Sequence, residues 1–418
     1  MPVFSFYQQN ARWLLAGLLI TGSSSFGQTY FISLFGAELR AAFGLSDGLF
    51  GWLYSVATIS SAATLIGLGS LADRWTVPRL VLFSAAGLTC ACLSMAVLSL
   101  NSSSVGTMSA LIWLGATLFG LRLFGQGMMS HIGFTAMGRW FNLQRGKAVA
   151  IATLGFPLGE GLLPALTVML MGLIGWGETW IAVACFLSLV LVPSILYLIR
   201  RSRTPQTTDE SLLESAQARQ REWTRAEVLR DPLFWALMPG VLAPSFIQTG
   251  VLFHQTRLVD AKGWTLESFS LTYLFYGASS VVAMIIAGWA IDRFSAVKTL
   301  PVSLVPLFIG LFVLSQSDAS WVGFVFMMAS GMSAGLVATL LGALWPELYG
   351  TRHLGAIRTP VIAAMVFSTA LAPGVMGSLL DHRVALDVQF FALGIYALLA
   401  SAVFLALVPR MKAHTAQF

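Results

Sequence analysis

The sequence predicts an all-α integral membrane protein with twelve transmembrane helices in two pseudo-symmetric six-helix bundles. Three observations lead there. Long apolar runs dominate the chain, one long polar segment divides them six and six, and a short motif recurs at the same place in each half. Only 10% of the 418 residues are charged against 57% hydrophobic, far from the quarter or so that is charged in soluble domains. At 1.5 Å rise per residue, runs of about 20 residues cross a hydrocarbon core of about 30 Å as helices. A barrel would instead need short alternating strands.

The predicted spans are 13–35, 49–71, 79–100, 109–138, 146–173, 179–199, 233–256, 270–291, 300–315, 320–345, 356–379 and 386–408. The first lacks a small-residue cleavage site and reads as a retained helix, not a signal peptide. Residues 200–232, rich in Arg, Glu, Gln and Thr, form a linker between an N-terminal bundle, 1–199, and a C-terminal bundle, 233–418.

Orientation follows from Lys and Arg. With both termini cytoplasmic, 19 of the 24 basic residues lie inside, four lie outside (Arg40, Arg257, Lys262, Arg383) and Arg122 lies within the membrane. This asymmetry satisfies the positive-inside rule, with NSSS, residues 101–104, in an outer loop. The net charge of +6 is scattered between apolar runs and forms no nucleic-acid-binding stripe. Cys90, Cys92 and Cys185 lie inside apolar runs without metal or disulfide spacing and read as packing residues.

GSLADR (Gly69 to Arg74) ends the second span and GWAIDR (Gly288 to Arg293) ends the eighth, with the same G-x-x-x-D-R spacing. The outer loops repeat more loosely, Ser46 and Thr265 each offering an N-cap followed by an acid in the first turn. Paired halves with short joints are the plan of rocking-bundle transporters.

With GLGSLADRWTVPR in view, the chain resembles the major facilitator superfamily across essentially its whole length. Gly69, Leu71, Ala72, Asp73, Arg74 and Arg79 fall in register with that family's signature loop, while Thr76 and Pro78 depart from it; the second copy keeps Gly288, Asp292, Arg293 and a later Lys298. The resemblance implies that these residues latch the cytoplasmic side, an aspartate meeting a neighbouring helix N-terminus, and that the protein lies in the cell's inner (plasma) membrane. LRLFGQGM is similar to the family's fourth-helix motif, whose arginine is implicated in proton-linked transport. Together with RWFNLQRGKAVAIATLGFPLGE it is similar to the oxalate/formate and monocarboxylate branches. The antiporter signature of the fifth helix is only imperfectly echoed by GFPLGEG.

Arg122 carries the functional expectation, since intramembrane charge usually faces a cavity or a partner. It lies 17 residues before Arg139, about 25 Å along a helix, and Glu160 lies 15 residues after Arg145, about 22 Å from the same side. The two can therefore meet at matching depth. An ion pair that only locks two helices is the simpler reading. The functional one has Arg122 bind the carboxylate of an organic anion through its planar, permanently charged fork, while Glu160, deprived of its counter-ion, takes up a proton.

Gln126 lies one turn from Arg122, and Gln28, Tyr30, Gln248, His254 and Tyr276 are further candidate substrate contacts. His131 is out of phase with Arg122 and reads as an interhelical hydrogen-bonding group. Gly155, Pro157 and Gly159 before Glu160, like Pro373, Gly374 and Gly377, serve either close packing or bending.

No Walker loop, H-E-x-x-H, nucleophile elbow or Cys/His cluster is present, so the expectation is neither an enzyme nor a primary pump, without cofactor or metal. The partners expected are a small carboxylate, protons and the lipid bilayer, with the protein a monomer. A proton/drug antiporter is the alternative, disfavoured by a fixed cation; a non-transporting sensor or scaffold is the more distant one.

Overall fold

The computed structural model describes residues 3–69, 71–100, 107–141, 144–201 and 223–415, the side chains of Val3, Phe4, Ser5, Ala72, Asp73 and Thr107 aside. NSSS at 101–104 and most of the polar linker lie outside these residues. The chain divides into two compact units, Met1–Thr208 and Asp209–Phe418.

The N-terminal unit contains α1 (Val3–Ser23), α2 (Asp47–Leu68), α3 (Val77–Leu100), α4 (Met108–Trp140), α5 (Arg145–Ile174) and α6 (Trp176–Ile199). The C-terminal unit contains α7 (Pro232–Phe253), α8 (Leu266–Phe294), α9 (Ala296–Gln316), α10 (Trp321–Tyr349), α11 (Leu354–Asp381) and α12 (Leu386–Thr415). From α2 to α12, all eleven are long and apolar enough to cross a membrane.

The first predicted span needs correction. The apolar run over 13–35 is not one helix: α1 stops at Ser23, Ser24–Gly27 form a 3-10 turn, and Gln28 is extended with φ −80° and ψ 155°. Helix resumes over Thr29–Ile32 and again over Gly36–Phe43. Three consecutive serines and Gly27 explain the weakness, because hydroxyls compete for nearby backbone carbonyls and glycine has no side chain to pack. Ser23 Oγ donates to the Leu19 carbonyl at 2.6 Å and Ser24 Oγ to that of Thr21 at 2.6 Å.

Since lipid is as apolar as leucine, close packing more than burial from water holds such helices together. Ile20, Leu80, Met137 and Ile195 form one buried cluster joining α1, α3, α4 and α6. Small residues set the approach. A Cβ on Gly155 of α5 would lie 2.6 Å from the Leu18 carbonyl and 2.7 Å from Gly22 N of α1. In the other unit, Gly331 and Gly335 of α10 sit directly on the Tyr276 and Ser280 carbonyls of α8.

The predicted caps form. Ser46 Oγ accepts from Leu49 N at 3.1 Å and Thr265 Oγ1 from Ser268 N at 3.2 Å. At that end of the C-terminal unit, Lys262 closes the loops: its ammonium lies 2.8 Å from Asp318 and 2.6 Å from Asp387, its side chain only 2% exposed. Burial pulls the lysine pKa down, but the two carboxylates outweigh it and hold it above the ordinary lysine value.

At the other end the polar segment re-enters early. Residues 223–231, placed by sequence in the linker, pack on the C-terminal unit: Trp223 N donates to the Tyr349 carbonyl at 3.3 Å, and Tyr349 Oη to Asp231 at 2.8 Å. A capping box between Thr224 and Glu227 starts the short helix Arg225–Arg230.

Candidate functional site

The site forms where the break after α1 meets a distorted turn of α4. Leu121–Met129 is π-helical and carries Arg122, Gly125 and Gln126; such widened turns recur at functional sites. The two backbones touch through glycine. A Cβ on Gly125 would lie 2.6 Å from Gly27 Cα, and one on Gly27 would lie 2.6 Å from Gln126 N.

Unwinding redirects the hydrogen bonds. Phe31 N, which in a continuous helix would bond to Gly27, bonds instead to the Gln28 carbonyl at 3.2 Å. The Gly27 carbonyl accepts from Arg122 Nη1 at 3.0 Å. The face of Tyr54, on α2, lies 5.4 Å from the guanidinium carbon, within cation–π range. Tyr54 is itself pinned by a 2.7 Å hydrogen bond between its hydroxyl and Thr29 Oγ1. Arg122 is 3% exposed, and its Nε has no hydrogen-bond partner among the described residues.

Glu160 is half-buried on α5. No ion pair links it to Arg122, whose described partners are a carbonyl and an aromatic face. Glu160 nevertheless borders the same break, since its neighbour Gly159 packs on Ser25 and a Cβ there would lie 3.3 Å from the Tyr30 hydroxyl. Gly155 and Gly159 thus serve close packing against α1. Gln28 and Gln126 are half-buried, and their side chains make no hydrogen bond among the described residues.

The candidates of the C-terminal unit fall into two groups. Gln248 and Tyr276 come together: Tyr276 Oη donates to Gln248 Oε1 at 3.4 Å, and Gln248 Nε2 to the Ser330 carbonyl at 3.0 Å, tying α7, α8 and α10. His254 stands apart from that pair. It is 1% exposed just past the end of α7, with Nε2 3.1 Å from the Pro373 carbonyl of α11.

The signature loops lie at the ends of α2 and α8. Arg74 and Arg79 are exposed, and the Asp73 side chain lies outside the described residues. Gly69 ends α2, its N–H 2.7 Å from the Leu65 carbonyl, and a Cβ on it would approach His131 Nε2 at 3.9 Å. In the second copy Gly288 faces open space, while Asp292 and Arg293 are exposed. The carboxylate meeting the N-terminus of α9 belongs to Glu347 of α10, which accepts from Ala296 N at 2.9 Å. Ser295 at φ 88° turns the chain sharply between α8 and α9. Sequence reasoning passed over Glu347, as it did Tyr54 and Thr29.

A sequence profile of the Major Facilitator Superfamily matches residues 17–357. The chain belongs to this superfamily. It is similar to the glycerol-3-phosphate transporter of Bacillus subtilis (strain 168), 24% identical over 206 residues that make up 44% of this chain and 46% of that one. The chain thus spans about half the length of that curated relative. Among solved structures, a bacterial homolog of the human lysosomal transporter Spinster, inward-facing and unoccupied, aligns over 97% of this chain and 98% of its own with a TM-score of 0.69 and 13% identity. A peptide transporter, POT, in complex with alafosfalin aligns over 97% and 95% with a TM-score of 0.67 and 12% identity. At such identities the structures establish the fold alone, and the superfamily makes this a multi-pass membrane transporter.

Proposed function

We propose that this transporter carries a small organic anion, a monocarboxylate in the first instance, by proton-coupled alternating access in the inner membrane with both termini cytoplasmic. The observation that supports this reading is the state of Arg122: a buried, permanently charged fork whose described partners are neutral and whose Nε is unused. A buried guanidinium with only neutral protein partners attracts an anion, and carboxylate matches its paired donors. Gln126 and Gln28, with unengaged amides beside it, supply further donors. Tyr30, Gln248, Tyr276 and His254 are the remaining polar groups assigned to cargo.

Glu160 is the proposed proton carrier. Arg122 rests on the Gly27 carbonyl of the Ser24–Thr29 break and Glu160 adjoins Gly159, which packs on Ser25, so an anion that draws Arg122 away from that carbonyl disturbs the segment against which α5 packs. The break couples the two. Gly69, Asp73, Arg74 and Arg79, with Gly288, Asp292 and Arg293, remain the proposed cytoplasmic gate, joined by Glu347.

A phosphate ester is the second reading. The curated relative is a glycerol-3-phosphate transporter, and arginine takes phosphate through the same fork. Thermal unfolding of the purified protein with monocarboxylates, dicarboxylates, glycerol-3-phosphate, sugars and lipophilic cations separates these readings, because ligands that bind only the folded state raise its stability. Stabilisation by carboxylates, lost in Arg122→Gln, is expected. Stabilisation by glycerol-3-phosphate alone favours the second reading; stabilisation by cations alone overturns both.

A further inference from the structure

We propose that the C-terminal unit binds one anionic phospholipid in a groove between α8, α9 and α10, with an acyl chain in the groove and the headgroup phosphate on Lys298. The groove has a volume of about 500 Å³ and an almost wholly apolar lining, within the ~300–1,000 Å³ range of small-molecule sites. Its origin is local. Ala283 and Ala290 on one face of α8 leave a low floor, and α9 begins with a short helix, Ala296–Thr299, and a 3-10 turn, Leu300–Val302, before Val305 resumes the α-helix. Pro306 lies on the groove wall at this interruption.

The walls open to lipid: Ile286, Phe294 and Val302 are 49%, 48% and 57% exposed. Lys298 lines the end of the groove, is exposed, and takes part in no ion pair among the described residues. Two acids of the neighbouring helices are engaged or averted. Glu347 accepts from Ala296 N, and Asp292 lies two residues from Ala290, about 200° around α8 and so on its opposite face. Trp289, 63% exposed, meets Phe294 edge-on at 5.9 Å, an amphipathic ring of the kind enriched at headgroup level. Apolar depth, an aromatic rim and one cation, Lys298, lining the groove at the basic end of the bundle together match an anionic lipid of the cytoplasmic leaflet.

The test is native mass spectrometry of the full-length protein released from bilayers of equal phosphatidylglycerol and phosphatidylcholine. One retained phosphatidylglycerol, favoured about fivefold over phosphatidylcholine, is expected from one cation near the surface. Lys298→Gln removes the preference, and Ala290→Phe, which fills the floor, removes the lipid. Lys298 is a surface residue, so its variant remains informative should Ala290→Phe fail to fold. Equal retention of both lipids by the unmodified protein, a preference that survives Lys298→Gln, or a dimer without lipid overturns the proposal. The groove lies in the other unit from Arg122, so none of these outcomes bears on the transport reading.

Discussion

Arg122 donates to the Gly27 carbonyl at 3.0 Å across the contact between α4 and the break after α1. The charge at the middle of the N-terminal unit thus rests on a main-chain oxygen that a broken helix makes accessible. A neutral acceptor holds a guanidinium without cancelling its charge, so the attraction for an anion persists. This is the physical basis of the proposed selectivity.

The ring of Tyr54 should matter more than its hydroxyl. A desolvated cation–π contact contributes about 2 kcal/mol, a hydrogen bond such as that to Thr29 about 0.5–1.5 kcal/mol. Tyr54→Phe should therefore lose only the smaller amount, and Tyr54→Leu both together with packing. Chemical unfolding of the two variants measures the order; equal losses would assign the effect to the hydroxyl.

Gly27→Ala should destabilise the protein by about 1–3 kcal/mol, the usual cost of overpacking, because the new methyl group meets Leu121 O and Gln126 N. Gly22→Ala is the control. There a Cβ meets only the Gly155 carbonyl, at 3.7 Å, and the helical methyl should be neutral or slightly stabilising. Equal thermal shifts in both variants would remove the close approach from the account.

Much of this architecture is legible in the sequence, because hydrophobic length and the placement of Arg and Lys are one-dimensional signals. The helix positions and the repeated G-x-x-x-D-R loops follow from them. The break inside 13–35 does not, since hydropathy averages over the serines that interrupt it. One local signal existed: Phe26-Gly27-Gln28 and Phe124-Gly125-Gln126 are the same tripeptide, and their glycines are the pair that touch. Tyr54 was invisible because an aromatic residue in an apolar helix looks like any other until its ring is placed against a cation. Glu347 was missed because it lies outside the repeated loop whose helix it caps.

The Lys262 cluster sets an alkaline limit. Its raised pKa means that its stabilising contribution is complete below the unfolded lysine value of about 10.4 and disappears as the pH climbs through the higher folded value. Lys262→Met should cost about 1–3 kcal/mol at pH 7, Asp318 and Asp387 being exposed enough to rehydrate, and should flatten the alkaline fall. Denaturant midpoints from pH 7 to 11 test this; an unchanged alkaline fall in the variant would assign it to other groups.

Glu160→Gln separates transport from coupling. The amide keeps the size of the side chain and its place on α5 beside Gly159, but it neither takes up nor releases a proton. In proteoliposomes the variant should exchange labelled carboxylate across the membrane at a rate within a few-fold of the unmodified protein. Its accumulation driven by a pH gradient should fall to the level reached without a gradient. Loss of exchange as well would give Glu160 a part in cargo binding or in holding α5 to the break, and thermal unfolding with saturating carboxylate distinguishes these, since only a binding defect abolishes the ligand-induced shift. Undiminished pH-driven accumulation would transfer the coupling role to another titratable group, with His254, buried against the Pro373 carbonyl, the first to examine.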